Sequence, residues 1–416
     1  MTTVRSRLAE LADWCTLAAI LIGPTQFSIE VAPKTFLSPV DPLVWFAGGL
    51  LLVSAGWPTL SGLFRRTPLV IFLFLAAIAM SVMHAGYRLK SIKDLVQAVE
   101  YFLLAFWLFT SLLDDPVRRA RALRWAGVVL TAILLLALAQ YAWPAAEIDN
   151  LKVGGTFTNR NVLGGFLALT LPVVGGLLLY DPVPLRKTWY AILLIGGAWV
   201  LLSGGAAIGL GVAFGLLTAW HHPRTTALAG LAVVIILSAA PLLPRSNPTV
   251  WSQSIALFDD DGVPTQRYTE WQAARFMSED HPLLGVGQGL YQDHIGTYYG
   301  YLPSPEHAAE PDTQNLYLVL GSSAGIPAAI LFILMLAVFH GRALRAAHHA
   351  TDPVTRGLAW GVGAGLIGFG VACLWSPLLV RGIGIPLAFI MALATVLEHE
   401  GLVARGYPTG GRSIPK

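Results

Sequence analysis

The chain has 416 residues, of which 55% are hydrophobic and 12% charged, with a mean hydropathy of +0.63 and a formal charge of +3. A soluble domain carries about 25% charged residues, so the composition excludes a soluble globular protein and implies helices set in lipid or against one another. The small net charge argues against a nucleic-acid partner, and Cys15 and Cys373, both inside apolar runs, argue against a disulfide framework or a cysteine metal site.

A helix needs about 20 residues to cross the hydrocarbon core. Apolar runs between charged or Pro/Gly punctuation give twelve candidate spans, near 11–30, 41–60, 68–84, 94–113, 122–143, 161–180, 188–203, 205–220, 225–243, 314–340, 356–379 and 382–398. The first run lacks a small-residue cleavage site after it and reads as a retained span. Only closed hydrogen bonding survives in lipid, so the expected fold is an all-α polytopic membrane bundle of about 12 transmembrane helices. Placing both termini in the cytoplasm puts 17 of the 27 Lys and Arg residues inside and 10 outside, as the positive-inside rule asks. The expected organisation is spans one to nine over 1–243, a periplasmic loop subdomain over 244–313, spans ten to twelve over 314–400 and a cytoplasmic tail over 401–416.

Three outside segments break the apolar pattern. Arg88, Lys90 and Lys93 precede the fourth span, and either a phosphate-bearing lipid or simple snorkelling accounts for them. Gly154 to Asn161 leads into the sixth span, where Asn161 is placed to cap the helix and leave N–H groups facing outward, either as an anion site or as an ordinary turn. The third segment, about Leu243 to Thr313, carries ten acidic residues and three arginines. A loop this long is usually functional. Thr265 can cap a helix running through Met277, after which Pro282 and Gly285-Val286-Gly287-Gln288-Gly289 form a turn-rich stretch. No strand precedes those glycines, so they are not a dinucleotide fingerprint. Tyr291, Tyr298, Tyr299 and Tyr301 suit either sugar stacking or interface anchoring. Inside the fourth span Glu100 is a costly buried acid, functional or tying helices together, with Gln140 of the fifth span as a possible partner.

Taken together, these pieces resemble the O-antigen ligase and polymerase superfamily of bacterial envelope glycosyltransferases. Gly155-Thr156-Phe157-Thr158-Asn159-Arg160-Asn161 is similar to that family's G-T-F-x-N-x-N. In the long loop, Arg267-x-x-x-Trp271 and His281-Pro282-Leu283-Leu284-Gly285-Val286-Gly287 match R-x-x-x-W and P-L-x-G-x-G. Gln314-Asn315-Leu316-Tyr317-Leu318 with Gly325-Ile326-Pro327 looks like H-N-x-x-L and a downstream G-I.

The resemblance implies metal-independent, cofactor-free transfer of a glycan from a polyprenyl diphosphate to an acceptor sugar hydroxyl at the periplasmic face. The acceptor is a second glycan or a lipid A-core-like lipid, and the setting is the bacterial inner membrane and its lipids. Guanidinium forks suit the diphosphate, which makes Arg267, Arg160 and Arg88 its expected ligands. Asn159, Asn161, Trp271 and Asn315 complete the expected substrate contacts. Two positions depart from the pattern. The family's His is Gln314 here, which cannot be a base near neutral pH. The Ser-Arg of the turn between spans seven and eight is Ser203-Gly204-Gly205. Either His307, Glu310 or Asp312 supplies the base, or Gln314 only orients the acceptor, or the chain is a noncatalytic relative. A secondary transporter of a small solute is the competing class, against which stands the lack of a clear internal repeat. Ligase and polymerase are not distinguished.

Overall fold

The computed structural model describes residues 2–32, 35–142, 153–201, 204–221, 266–299 and 314–405. These are almost wholly helical. Helix α1 (Thr2–Ile22) is followed by a short antiparallel hairpin, β1 (Ile29–Ala32) and β2 (Thr35–Leu37), in which Ile29 pairs with Leu37. Then come α2 (Val40–Ser54), α3 (Trp57–Arg66), α4 (Leu69–His84), α5 (Arg88–Asp114) and α6 (Pro116–Ala142). Helices α7 (Arg160–Tyr180), α8 (Pro184–Trp199) and α9 (Gly204–His221) complete the first part. The second part has α10 (Gln266–Asp280), α11 (Tyr291–Tyr299), α12 (Leu316–Ala324), α13 (Ile326–His349), α14 (Pro353–Ala372) and α15 (Gly384–Ala404).

Six helices are long and apolar enough to cross a membrane, namely α5, α6, α7, α13, α14 and α15. They make the chain a multi-pass membrane protein. The other six expected spans fare differently. Two, α2 and α9, are apolar but short, and α4 is one arm of a pair bent by 82° against α3, at Thr67-Pro68. The run 11–30 is the helix 2–22, shifted toward the terminus, the run 188–203 is the 16-residue α8, and 225–243 lies outside the described residues. Leu69, Met83, Leu135, Ile192, Ile195 and Ile330 are exposed on outward helix faces, as lipid contact requires.

At the centre, α14 packs on α7 and α9 through a stripe of small residues. Gly357, Gly361 and Gly365 recur every fourth position and meet the α7 backbone, at Gly176, at Pro172 and Val173, and at Leu169, while Gly209 of α9 meets Gly368. A side chain at these positions would strike main chain, so the glycines set the distance between helices. Pro172 lies inside α7 against this stripe. One end of the bundle carries arginine ion pairs that lock distant helices: Arg66 to Asp114, Arg118 to Asp13, Arg119 to Glu400, and both Arg342 and Arg345 to Glu398. The opposite end carries α10 and α11 and is termed here the loop face.

The stripe gives a paired test. Gly365→Val is expected to lower stability by roughly 1–3 kcal/mol through overpacking. Gly211→Ala, on a face of α9 with open space around it, is expected to gain roughly 0.5–1 kcal/mol. Thermal unfolding in detergent reads both.

Candidate functional site

The expected tenth span, 314–340, is not one helix. It breaks at Gly325 (φ 93°) into α12 and α13. Gly325 ends one helix, and Pro327 sits in the first turn of the next, the positions each residue favours. Leu316 N–H donates to the Cys373 carbonyl at 2.9 Å, and the Tyr317 hydroxyl donates to the Gly370 carbonyl at 2.6 Å. The Tyr317 ring faces Phe332 of α13, 6.4 Å away. Helix α12 therefore folds back along α13 from Gly325, and its start, at Asn315 and Leu316, is buried.

The glycine motif of the loop explains how that helix is held. Val286 and Gly287 donate their N–H groups to the Ser322 and Ser323 carbonyls at 3.0 and 2.9 Å, and Ile326 donates to the Pro282 carbonyl at 2.9 Å. The Ser81 hydroxyl of α4 donates to the same Ser323 carbonyl at 3.0 Å. Gly285 (φ 64°) lies against the Ser323 backbone and Gly325 against the Leu283 carbonyl, so neither place admits a Cβ. Two motifs about 40 residues apart in sequence are thus one backbone joint. Helix α10 packs along α12, with Ser278 beside Gly321. The tyrosines Tyr291, Tyr298 and Tyr299 belong to α11, a helix the sequence did not suggest. All three are buried, with Ala273, Ala274, Met277 and Ile295, rather than presented as a sugar platform or a membrane anchor.

Gln314, in the place of the family His, has φ 49°, the left-handed region in which a non-glycine residue stores about 1–3 kcal/mol. Asn315 caps α12, its Oδ1 accepting from Tyr317 N and Leu318 N at 3.0 and 3.2 Å. At the start of α7 the cap is Asn159, not Asn161: Asn159 Oδ1 accepts from Asn161 N and Val162 N at 2.9 and 3.0 Å. Asn161 is the second residue of the helix, and two N–H groups expected to face outward are already used. Arg160 is the first residue of α7, half-buried, and its side chain meets no partner among the described residues. The loop before it is fixed by Gln140, which bonds both the N–H and the carbonyl of Gly155, by Thr156 to the Pro24 carbonyl, and by Thr158 to Gln26.

Glu100 therefore has no bond to Gln140. Its Oε2 accepts from Trp45 Nε1 at 3.2 Å, and it opens a π-helical stretch, Glu100–Ala105, within α5. Arg88 is exposed at the start of α5, while Lys90 pairs with Asp293 of α11 at 2.7 Å. Trp271 is half-buried in α10 and Arg275 makes an exposed pair with Glu279. Arg267 lies in the first turn of α10, with its side chain outside the described residues, as are His307, Glu310, Asp312, Thr265 and Tyr301.

The link Cys373–Ile383, between α14 and α15, touches each of these starts. Besides accepting from Leu316, it packs Leu378 on Gly165 of α7, Gly382 on Phe157, and Trp375 on Gly205 of α9. It also carries Arg381, whose Nη2 lies 3.1 Å from Asp41 Oδ2 of α2. Arg381 is one of the ten basic residues that the positive-inside count places outside. The sole local sign was a charge in a short link, for Asp41 lies far away along the chain.

A polytopic helical membrane protein with a helix broken at Gly325, an asparagine-capped helix start that carries an arginine, and a helical loop on one face is the class these features define. Residues 189–333, about a third of the chain, match the family described as O-Antigen ligase. The match bears out the resemblance to the O-antigen ligase and polymerase superfamily read from the motifs. It covers the three later motifs and begins after Asn161. No curated protein matches the chain.

The backbone at the start of α12 gives a direct test. Asn315→Ala is expected to cost about 1 kcal/mol as a lost cap. Gln314→Gly is expected to leave stability within about 1 kcal/mol, and β-branched Gln314→Val to cost more, because of the left-handed geometry. Unfolding midpoints in detergent give the order.

Proposed function

We propose that the chain is a glycosyltransferase of the O-antigen ligase and polymerase type, transferring a glycan from a polyprenyl diphosphate to an acceptor sugar hydroxyl at the loop face. The observation that supports this reading is an apolar cleft that runs from Arg124 and Arg186 at the arginine-rich end to Pro24, whose carbonyl accepts from Thr156 just before the Asn159-Arg160-Asn161 turn. The cleft, of about 880 Å³, lies between α1, α5, α6, α7, α8, α14 and α15. It extends from Phe166 to Asp181 along α7, about 22 Å at 1.5 Å per residue. Pro24, at its loop-face end, holds Thr156 of the motif. A polyprenyl chain fits such a groove, and a diphosphate carried past its Pro24 end would approach Arg160, whose guanidinium has no partner among the described residues and stands at the positive end of α7.

In the reaction the acceptor oxygen forms a bond to C1 of the donor sugar, the C1–O bond to phosphate breaks, and its electron pair leaves with the lipid diphosphate. Arg160 and Arg267 stabilise that growing charge. Gln314 orients the acceptor hydroxyl. The proton passes to His307, Glu310 or Asp312, or to solvent. Neither a metal nor a cofactor enters this scheme. The arginine-rich end faces the cytoplasm, as the positive-inside rule favours, so both termini are cytoplasmic, the loop face is periplasmic and the membrane is the bacterial inner one. Arg88, exposed at the same face, serves as an outer contact for the glycan or its phosphate.

A noncatalytic relative is the second reading, favoured by Gln314 and by Ser203-Gly204-Gly205 in place of the family's His and Arg. Purified protein given polyprenyl-diphosphate glycans and acceptor separates the two. Transfer is expected, falling roughly tenfold to a hundredfold in Arg160→Ala and in Arg267→Ala as charged contacts are lost. No transfer by the wild type across a broad donor set contradicts the transferase reading.

A further inference from the structure

We propose that Arg381 and Asp41 form an anchor that fixes the link Cys373–Ile383 and, through it, the relative placement of the three helix starts at the loop face. Arg381 is thereby a positioning residue for the transfer, a claim that rests on the transferase reading. The anchor itself does not.

Three contacts make the link the common neighbour of those starts. Its first residue, Cys373, accepts the Leu316 N–H at the start of α12. Trp375 covers Gly205 at the start of α9, the turn where the family's arginine is missing. Gly382 (φ 87°) lies on the Phe157 ring and near the Thr25 carbonyl, beneath the turn that carries Arg160. The link has no regular secondary structure of its own, only short turns such as Leu378 N–H to the Ser376 carbonyl and Ile383 N–H to the Val380 carbonyl. Something outside it must hold it.

Arg381 does so. Its side chain is 17% exposed and that of Asp41 9%, so solvent screens this pair far less than a surface one. Asp41 is itself fixed, since Oδ2 also accepts from Ser38 N at 2.9 Å. One turn along α2, Trp45 donates to Glu100, which places a second carboxylate in the same buried neighbourhood. Asp41 meets the guanidinium directly and Glu100 lies in the same neighbourhood, so the Arg381 charge is engaged within the protein, and this fits a residue that holds the link rather than one that binds the donor's diphosphate. Asp41 Oδ1 and Glu100 Oε1 are buried without a hydrogen-bond partner, so removing Arg381 would strand acidic groups, which is costly.

Cys373, fully buried on the link, is a built-in reporter. In a Cys15→Ser background, maleimide labelling of Cys373 is measured in nanodiscs for wild type, Arg381→Ala, Asp41→Ala and Arg381→Lys. Transfer kinetics are measured in parallel. Labelling is expected to accelerate about tenfold or more in both alanine variants, as loss of one partner of a buried pair opens the link. Arg381→Lys, which keeps the charge, should fall between. The kcat of both alanine variants should drop about tenfold or more with donor KM nearly unchanged, and the double variant should be no worse than the poorer single one. Unchanged labelling in both alanine variants overturns the anchor. A raised donor KM in Arg381→Ala with Asp41→Ala unaffected overturns it too, because Arg381 would then bind the anion directly. Absence of turnover in wild type defeats the transferase reading, while labelling still decides the anchor.

Discussion

Three main-chain hydrogen bonds, from Val286, Gly287 and Ile326 to the carbonyls of Ser322, Ser323 and Pro282, join the loop helices to the membrane bundle. Backbone groups at a helix break inside an apolar environment must find partners, and here the loop supplies them. The joint is possible only because Gly285 and Gly325 let two main chains touch. It fixes α10 along α12 and places the first turn of α10, with Arg267, on the same helical assembly as Gln314.

The link between α14 and α15 extends that order to α7 and α9. A rigid placement of groups from separate helices is what electrostatic stabilisation of a leaving diphosphate requires, since donors that must reorganise lose their advantage. The glycine stripe of α14 sets how closely α7 and α9 approach, and the link sits at its end. Packing in the bundle and geometry at the loop face are therefore coupled through one short segment.

Much of this was legible in the sequence. Hydropathy gave the helical class, and the glycines of 285–289 were rightly read as turn geometry rather than a nucleotide fingerprint. The start of α7 was placed within a residue, although the cap fell to Asn159, because two asparagines two residues apart offer the same signal. The break at Gly325 was masked by the apolar run around it, although Gly followed by Pro327 is a stop followed by a start. Helix α11 was hidden because its apolar face is made of tyrosines, which also suit interfaces. Glu100 and Gln140 were paired by depth alone, while their real partners, Trp45 and Gly155, depend on how the helices are arranged around one another. The Arg381–Asp41 pair left only a charge in a short link as its local sign, because the two residues lie far apart along the chain.

The central claim is that a lipid diphosphate lies with its chain in the apolar cleft and its head at the start of α7. A photoactivatable polyprenyl diphosphate, crosslinked in nanodiscs and mapped by mass spectrometry, tests it most directly. The account expects adducts on cleft residues of α1, α7 and α15 that unlabelled polyprenyl diphosphate competes away. Competed adducts confined to other helix faces, with none in the cleft, would contradict it.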